Sequence, residues 1–184
     1  YEKNKSTYER EMENLRTDIA NQQEYLDHSI WINMSPYDVC EARADLFVST
    51  GYQIMPGMEY QNRDNTDTIL QAYQSLLTSS AVLEDVAKQV KTEPRYLEEL
   101  VEVTIGANLD GQLNRMLTID VKHTTKEDAK KVLDAFLAHV DDMHDQIATS
   151  IGEHTVSIVN ESVSALVNLD LADLQRQQTE KLTT

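Results

Sequence analysis

Five residues between positions 139 and 145 carry side chains that bind metals or exchange protons: His139, Asp141, Asp142, His144 and Asp145. On a helix, side chains converge when they are three or four positions apart. The two histidines are five apart, so they face different directions. The segment also lacks the paired histidines and intervening glutamate of helical zinc hydrolases. We therefore expect a solvated acidic helix face here, and predict neither a metal nor a cofactor.

The chain has a single cysteine, Cys40, which excludes an intramolecular disulfide and a cysteine–histidine zinc pattern. A lone cysteine can act as a nucleophile. Cys40, however, precedes a predicted strand in a sequence without a matching histidine motif, which favours a small structural residue. Phosphate-binding loops, dinucleotide fingerprints and nucleophile elbows are absent from the sequence. These observations predict no catalytic residue and a protein that is not an enzyme.

An apolar group lies in a segment that otherwise has the composition of a loop, residues 51–65. Its members are the candidate protein-contact residues Tyr52, Met55, Pro56, Met58 and Tyr60. If exposed, they form an adaptable apolar contact surface, because methionine side chains repack easily. Alternatively, the segment folds over the edge of the sheet. Both interpretations remain open at this point.

The charge of the chain limits its partners. Asp and Glu number 32 against 16 Lys and Arg, which gives a formal net charge of −16. Such a surface repels nucleic-acid phosphates and anionic lipid headgroups. The densest basic pair, Lys130 and Lys131, is flanked by Asp128 and Asp134. We therefore predict no nucleic-acid partner and no electrostatic docking on a membrane surface.

Both ends of the chain carry a heptad-like pattern. Apolar or amide residues alternate by four and three within residues 1–30, the spacing of coiled-coil a and d positions. This N-terminal seam consists of Tyr8, Met12, Leu15, Ile19, Gln22 and Leu26. A C-terminal seam follows a similar spacing at Leu171, Leu174, Gln178 and Leu182. We predict that the two helices pair in antiparallel orientation as a stalk, with Gln22 facing Gln178. The alternative is an amphipathic helix that lies on a globular core.

The middle of the chain alternates between strand and helix patterns. Strands are predicted at residues 42–50, 101–107, 116–122 and 154–159, and the second and third form a hairpin with a turn at Asp110 and Gly111. Helices are predicted at residues 66–90, from Pro94, and from a cap at Thr125 to Gly152. This order predicts an α+β fold with a small mixed or antiparallel four-stranded sheet and helices mainly on one face. The expected units are a stalk helix at 1–34, the α+β domain at 35–163 and a second stalk helix at 164–184.

The sequence begins at Tyr1 directly in helical periodicity. Its apolar runs are shorter than the roughly 20 residues that cross a bilayer. We expect the chain to be part of a larger protein whose membrane segments lie outside it.

The assembled pattern resembles the extracytoplasmic domain of the Wzz-type chain-length determinant family, also called polysaccharide co-polymerases. Residues 42–160, about two-thirds of the chain, carry the resemblance. Family members show a helix that ends in a motif similar to VLEDVA, a hairpin strand similar to LTIDV, and a helix before the last strand that begins with Asp. The corresponding motifs lie at residues 82–87, 117–121 and 128–137 of this sequence.

The resemblance implies a bacterial plasma (inner) membrane protein whose domain faces the extracytoplasmic side. It also implies a role in surface polysaccharide chain length or export, through self-association and contact with a polysaccharide polymerase or tyrosine kinase. An alternative function is a generic cell-surface scaffold or protein-binding module on a coiled-coil stalk. A third is a metal-dependent hydrolase that uses the acidic helix. Membrane segments flanking the domain would favour the first of these.

Overall fold

The computed structural model describes residues 2–53, 56–57, 64–107 and 113–183. Its elements follow one another as α1 (Glu2–His28), α2 (Ile30–Asn33), β1 (Val39–Thr50), α3 (Thr66–Leu77), α4 (Ser80–Val90), α5 (Pro94–Glu98), β2 (Val101–Ala107), β3 (Leu113–His123), α6 (Lys126–Ser150), β4 (His154–Leu166) and α7 (Leu169–Thr183).

The four strands form one sheet in the order β2-β3-β1-β4, and all neighbours are antiparallel. Each half of the domain is a strand–helix–strand unit whose two parallel strands are separated by a strand of the other half. This is the split βαβ arrangement of ferredoxin-like folds. The predicted α+β class is confirmed, the sheet is antiparallel, and β2 and β3 pair as expected. The turn at Asp110 and Gly111 lies outside the described residues.

The main hydrophobic core lies between one face of the sheet and helices α3, α4 and α6. Alternate residues of β1 point into it and are at most 2% exposed: Ala42, Ala44, Leu46 and Val48. The predicted stripe of α6 faces them and is also buried: Ala129, Leu133, Phe136, Val140, Met143 and Ile147. The alternation of two in the strand and of three or four in the helix thus identified both faces of this core.

A second, smaller core covers the other face of the sheet at one end. Val39 begins β1 on the face opposite to Ala42, and it packs with Met34, Leu100 and Leu171. Leu171 of α7 is fully buried in this cluster, and Trp31 of α2 packs against its side. Helices α2 and α7 therefore attach to the end of the sheet where β1 starts and β4 finishes.

The prediction of one helix over residues 66–90 is wrong, because α3 ends at Leu77 and α4 begins at Ser80. Ser79 causes the break. Its hydroxyl donates to the Leu76 carbonyl at 2.6 Å and accepts from the Val82 amide at 3.5 Å. A serine that caps a helix in this way competes with continuation of the preceding helix.

Strands β1 and β4 are longer than predicted. β1 starts at Val39, three residues before the expected position, and β4 runs to Leu166, seven residues past it. β4 is an edge strand with Ile158 and Val159 each about half exposed. Asp45 pairs with Asn160 while Leu46 pairs with Ile158, so Val159 is an extra residue in a bulge. The second half of β4 shows little hydrophobic alternation because solvent covers much of it.

Removing the cap at Ser79 should loosen α4. We expect Ser79→Ala to lower the free energy of unfolding by about 1 kcal/mol, the usual cost of losing a serine N-cap. Ser80→Ala is the matched control, since Ser80 is the exposed first residue of the same helix. Chemical denaturation followed by circular dichroism measures both. Equal effects of the two substitutions would contradict the capping role.

Candidate functional site

The predicted contact segment is described only in part. Tyr52 is half-buried and Pro56 is exposed, whereas Met55, Met58 and Tyr60 lie outside the described residues. Tyr52 lines a shallow cavity of about 310 Å³, between the end of β1 and the turn before β4. Ile69 of α3 and Glu153 line the same cavity. The structure thus places the first residue of the segment next to α3.

The two histidines of α6 reach different elements, as their spacing predicted. The imidazole Nε2 of His139 lies 2.8 Å from a carboxylate oxygen of Asp85 in α4, and that contact helps to hold the pKa of Asp85 below its usual value. His144 contacts β4 instead. Within the part of the chain that is described, no group of three or more potential ligands could hold a metal. Asp141 and Asp142 lie on the exposed face of the helix.

A chain of buried polar contacts that the sequence pattern did not reveal connects α3, α6 and β4. The Tyr73 hydroxyl lies 2.6 Å from Nε2 of His154, and Nδ1 of His154 lies 2.9 Å from the Gly152 carbonyl. A carbonyl only accepts, so Nδ1 donates to it, and in the neutral imidazole Nε2 accepts from the Tyr73 hydroxyl. Burial raises the pKa of Tyr73 to about 12. The Tyr73–His154 contact therefore joins helix α3 to the start of the edge strand β4.

His144 extends this chain to the surface. Its Nε2 donates to the His154 carbonyl at 2.9 Å, and its Nδ1 faces the Asp145 carboxylate at 3.1 Å. Both partners accept, so both contacts form together only when the imidazole is protonated. The hydrogen bond to the His154 carbonyl, followed by that to Asp145, raises the pKa of His144.

The base of α1 is fixed by one carboxylate. Glu99, between α5 and β2, accepts hydrogen bonds from the hydroxyl of Tyr25 and, at 2.7 Å, from the hydroxyl of Ser29. Ser29 is fully buried and also caps α2 through the Ile32 amide. Burial, and then the hydrogen bond to Glu99, raises the pKa of Tyr25 to about 12. Because Glu99 lies only two residues before Val101, the first residue of β2, this contact helps to set the position of α1 relative to the sheet.

A surface contact reinforces the same junction. Arg95 of α5 pairs with Glu24 of α1 at 3.0 Å and with Glu93 at 2.9 Å, and its guanidinium lies 4.6 Å from the Tyr96 ring centroid. All three charged side chains are about half exposed. Ion pairs of this kind contribute little to stability, so the Glu99 contacts carry more of the attachment.

Glutamines join α7 to the N-terminal helices. The Gln22 side chain donates to that of Gln178 at 2.9 Å, the pair that the two seams predicted to face each other. Gln175 donates to the carbonyls of Ile32 and Met34, each at 2.7 Å. As α7 advances from 175 to 178, its contacts move back along the chain from Met34 to Gln22. The two terminal helices therefore run in opposite directions and leave the sheet on the same side.

The outer part of the N-terminal seam, before Gln22, is exposed to solvent, whereas Leu26 is half-buried. Every side chain from residue 4 to residue 21 is exposed. The apolar members of the seam in this stretch are Tyr8 at 63% exposure, Met12 at 37%, Leu15 at 53% and Ile19 at 54%. On the C-terminal seam, Leu174 lies instead beside Trp31, and the side chain of Leu182 is outside the described part. The hydrogen bonds bring together Gln22 and Gln178 but do not establish a coiled coil.

Comparison with known proteins adds little. No family model matches this chain. No curated protein matches it either. It is similar to two crystal structures of AtUAH, one in complex with glyoxylate and one with (S)-hydroxyglycine, at 12% and 15% identity. Both matches cover 78% of this chain and 32% of that chain, so this chain spans about a third of the length of AtUAH. The TM-score of 0.31 in each case supports no conclusion about this protein.

None of the described helices has the length and apolar composition that a membrane crossing requires.

Loss of the Tyr25 hydroxyl should weaken the attachment of α1. We expect Tyr25→Phe to lower the free energy of unfolding by about 1.5 kcal/mol, because a hydrogen bond to a carboxylate is lost at a half-buried site. Tyr37→Phe is the control, since Tyr37 is 69% exposed. Hydrogen exchange of the amides of residues 22–33 measures local opening at the same time. Unchanged exchange there would contradict the proposed anchoring by Glu99.

The His144 contacts should make stability depend on pH. A histidine pKa that is raised by folding stabilises the protein fully below the unfolded pKa of about 6.5 and loses that contribution as pH rises through the folded pKa. We therefore expect the wild type to lose stability relative to His144→Gln as the pH rises above about 6.5. The difference should stay below about 1 kcal/mol because Asp145 is fully exposed and solvent screens the pair. A difference that is independent of pH would exclude a protonated His144.

Proposed function

We propose that this chain is the extracytoplasmic domain of a membrane-anchored protein that regulates the chain length or export of a bacterial surface polysaccharide. The observation that carries the proposal is the exit of both terminal helices on the same side of the sheet, joined at Gln22 and Gln178. A domain anchored in a membrane at both ends needs its two connections side by side. The resemblance of residues 42–160 to the Wzz-type family supplies the polysaccharide role.

In this proposal, α1 and α7 form an antiparallel stalk whose base is the described contact around Gln22. The stalk holds the α+β domain above the plasma (inner) membrane, on the extracytoplasmic side. Attachment to rigid helices through Glu99 and the core around Leu171 would keep the domain in a fixed orientation. Neighbouring domains with a fixed orientation present the same surfaces to one another, which favours self-association.

The domain acts through protein contacts and not as an enzyme. Self-association, together with contact to a polysaccharide polymerase or a tyrosine kinase, regulates the polymer. The group of Tyr52, Met55, Pro56, Met58 and Tyr60 is one proposed contact surface. The polar groups on which a catalyst would depend have structural partners here: His154 is saturated by Tyr73 and Gly152, and Cys40 is buried with its pKa raised, first by burial.

The polysaccharide itself provides the test. In the source bacterium, deletion of the gene should broaden or shift the length distribution of the surface polymer, or reduce its exported amount, as read on gels stained for carbohydrate. Re-expression of the wild-type gene should restore both. A deletion strain with an unchanged polymer, in a background where the protein is detected at the cell surface, would overturn the proposal and favour a scaffold instead.

A further inference from the structure

The exposed part of α1 needs a partner. Residues 4–21 are helical, and all 18 of their side chains are exposed. At 1.5 Å per residue they extend about 27 Å. An isolated helix of this length is marginal in water, and most helices in proteins are stabilised by packing of an apolar face. Tyr8, Met12, Leu15 and Ile19 form such a face.

We infer that this face binds the same face of a second copy of the chain, as a parallel two-stranded coiled coil. The seam assigns Met12 and Ile19 to a positions and Tyr8 and Leu15 to d positions. A β-branched residue at a with leucine at d, as in Ile19 and Leu15, favours two parallel strands. The inference rests on the self-association proposed above, and it names the surface through which subunits meet.

Charge complementarity selects the second copy as the occupant. The exposed residues 4–21 contain three basic and four acidic residues, a net charge of −1, so almost all of the net charge of −16 lies elsewhere in the chain. Two copies can therefore approach along this segment with little mutual repulsion. A polyanionic or polycationic partner would gain no net attraction from it.

The flanking charges also select the parallel orientation. In a parallel dimer, each g position meets the e position five residues later on the other helix. Glu11 at g then faces Arg16 at e, twice by symmetry, and neither residue has another ion pair in the described part of the chain. In an antiparallel dimer, g positions meet g positions and e positions meet e positions. With Met12 opposite Leu15, the two acidic residues Glu11 and Asp18 would then meet at g and repel each other. The attraction between Glu9 and Arg16 at e would only offset that repulsion.

The dimer ends where α7 begins to contact α1. At Gln22 the seam is occupied by Gln178, so the second copy is confined to the stretch from Tyr8 to Ile19. The two α1 helices would thus be joined in their N-terminal halves and would diverge towards the two α+β domains.

A charge-exchange experiment on the 184-residue chain tests this inference. Sedimentation equilibrium should detect a dimer at concentrations up to about 1 mM, the effective concentration that tethering provides. Glu11→Arg and Arg16→Glu should each weaken it about tenfold, and the double variant should restore it to within about threefold. Glu13→Arg is the matched control, since it changes net charge equally at a b position away from the seam. Leu15→Ser should abolish the dimer without changing the stability of the α+β domain, because Leu15 is exposed.

Cross-linking determines the orientation. In a Cys40→Ser background, Tyr8→Cys should form an intermolecular disulfide readily, because a parallel register places the two d positions side by side, and Glu13→Cys should not. Absence of a dimer, equal effects of Glu11→Arg and Glu13→Arg, or cross-linking of Tyr8→Cys only to Ile19→Cys would overturn the inference. Loss of the dimer in Leu15→Ser with normal polysaccharide length would overturn the role of this interface in the proposed function. An unchanged polymer after gene deletion would instead refute the polysaccharide role and leave the dimer intact.

Discussion

The orientation of the N-terminal helix α1 depends on the carboxylate of Glu99. Glu99 directly precedes Leu100, which belongs to the smaller core. Its carboxylate accepts hydrogen bonds from the hydroxyls of Tyr25 in α1 and of Ser29 between α1 and α2. A carboxylate at a half-buried site needs donors to replace water, and these two hydroxyls supply them. Since Glu99 lies two residues before β2, these two hydrogen bonds near the end of the 27-residue helix help to set its direction relative to the sheet.

The smaller core explains why this junction can hold. Without Val39, Leu171 and their neighbours, α7 would have only polar contacts to the domain, and glutamine hydrogen bonds alone are modest in net energy. Burial of Leu171 fixes the start of α7, and the glutamines at 175 and 178 then fix its rotation. Apolar burial thus provides the attachment, and amide groups provide the register. The sheet is covered by helices on most of one face and on one end of the other.

Elements governed by local periodicity were predictable from the sequence. The α6 stripe and the alternation in β1 repeat at the period of their own secondary structure, so each could be read without knowledge of the rest of the chain. The break at Ser79 could have been found from the three consecutive hydroxyl residues at 78–80, which favour capping over helix interior. The length of β4 could not, because pairing with β1 rather than its own pattern keeps its second half extended.

Contacts between distant residues account for most of what the sequence did not reveal. Tyr73 and His154 are 81 positions apart, and Tyr25 and Glu99 are 74 apart. No rule of sequence spacing connects such pairs. Each of these residues also fits the local pattern of its own helix or strand, so nothing in that pattern indicates its distant partner. Gln22 and Gln178 were the exception, since an amide at the same place in two apolar seams is itself a signal. The proposed contact segment after Tyr52 lies largely outside the described residues.

The bulge at Val159 has a consequence for solubility. An edge strand of 13 residues with half-exposed Ile158 and Val159 offers its free backbone groups to other strands, as amyloid-forming segments do. The additional residue bends the strand and breaks the straight row of donors and acceptors. An incoming strand could follow this edge for only a few residues before losing register. At high protein concentration, this irregularity keeps the sheets of neighbouring molecules from joining into a continuous one.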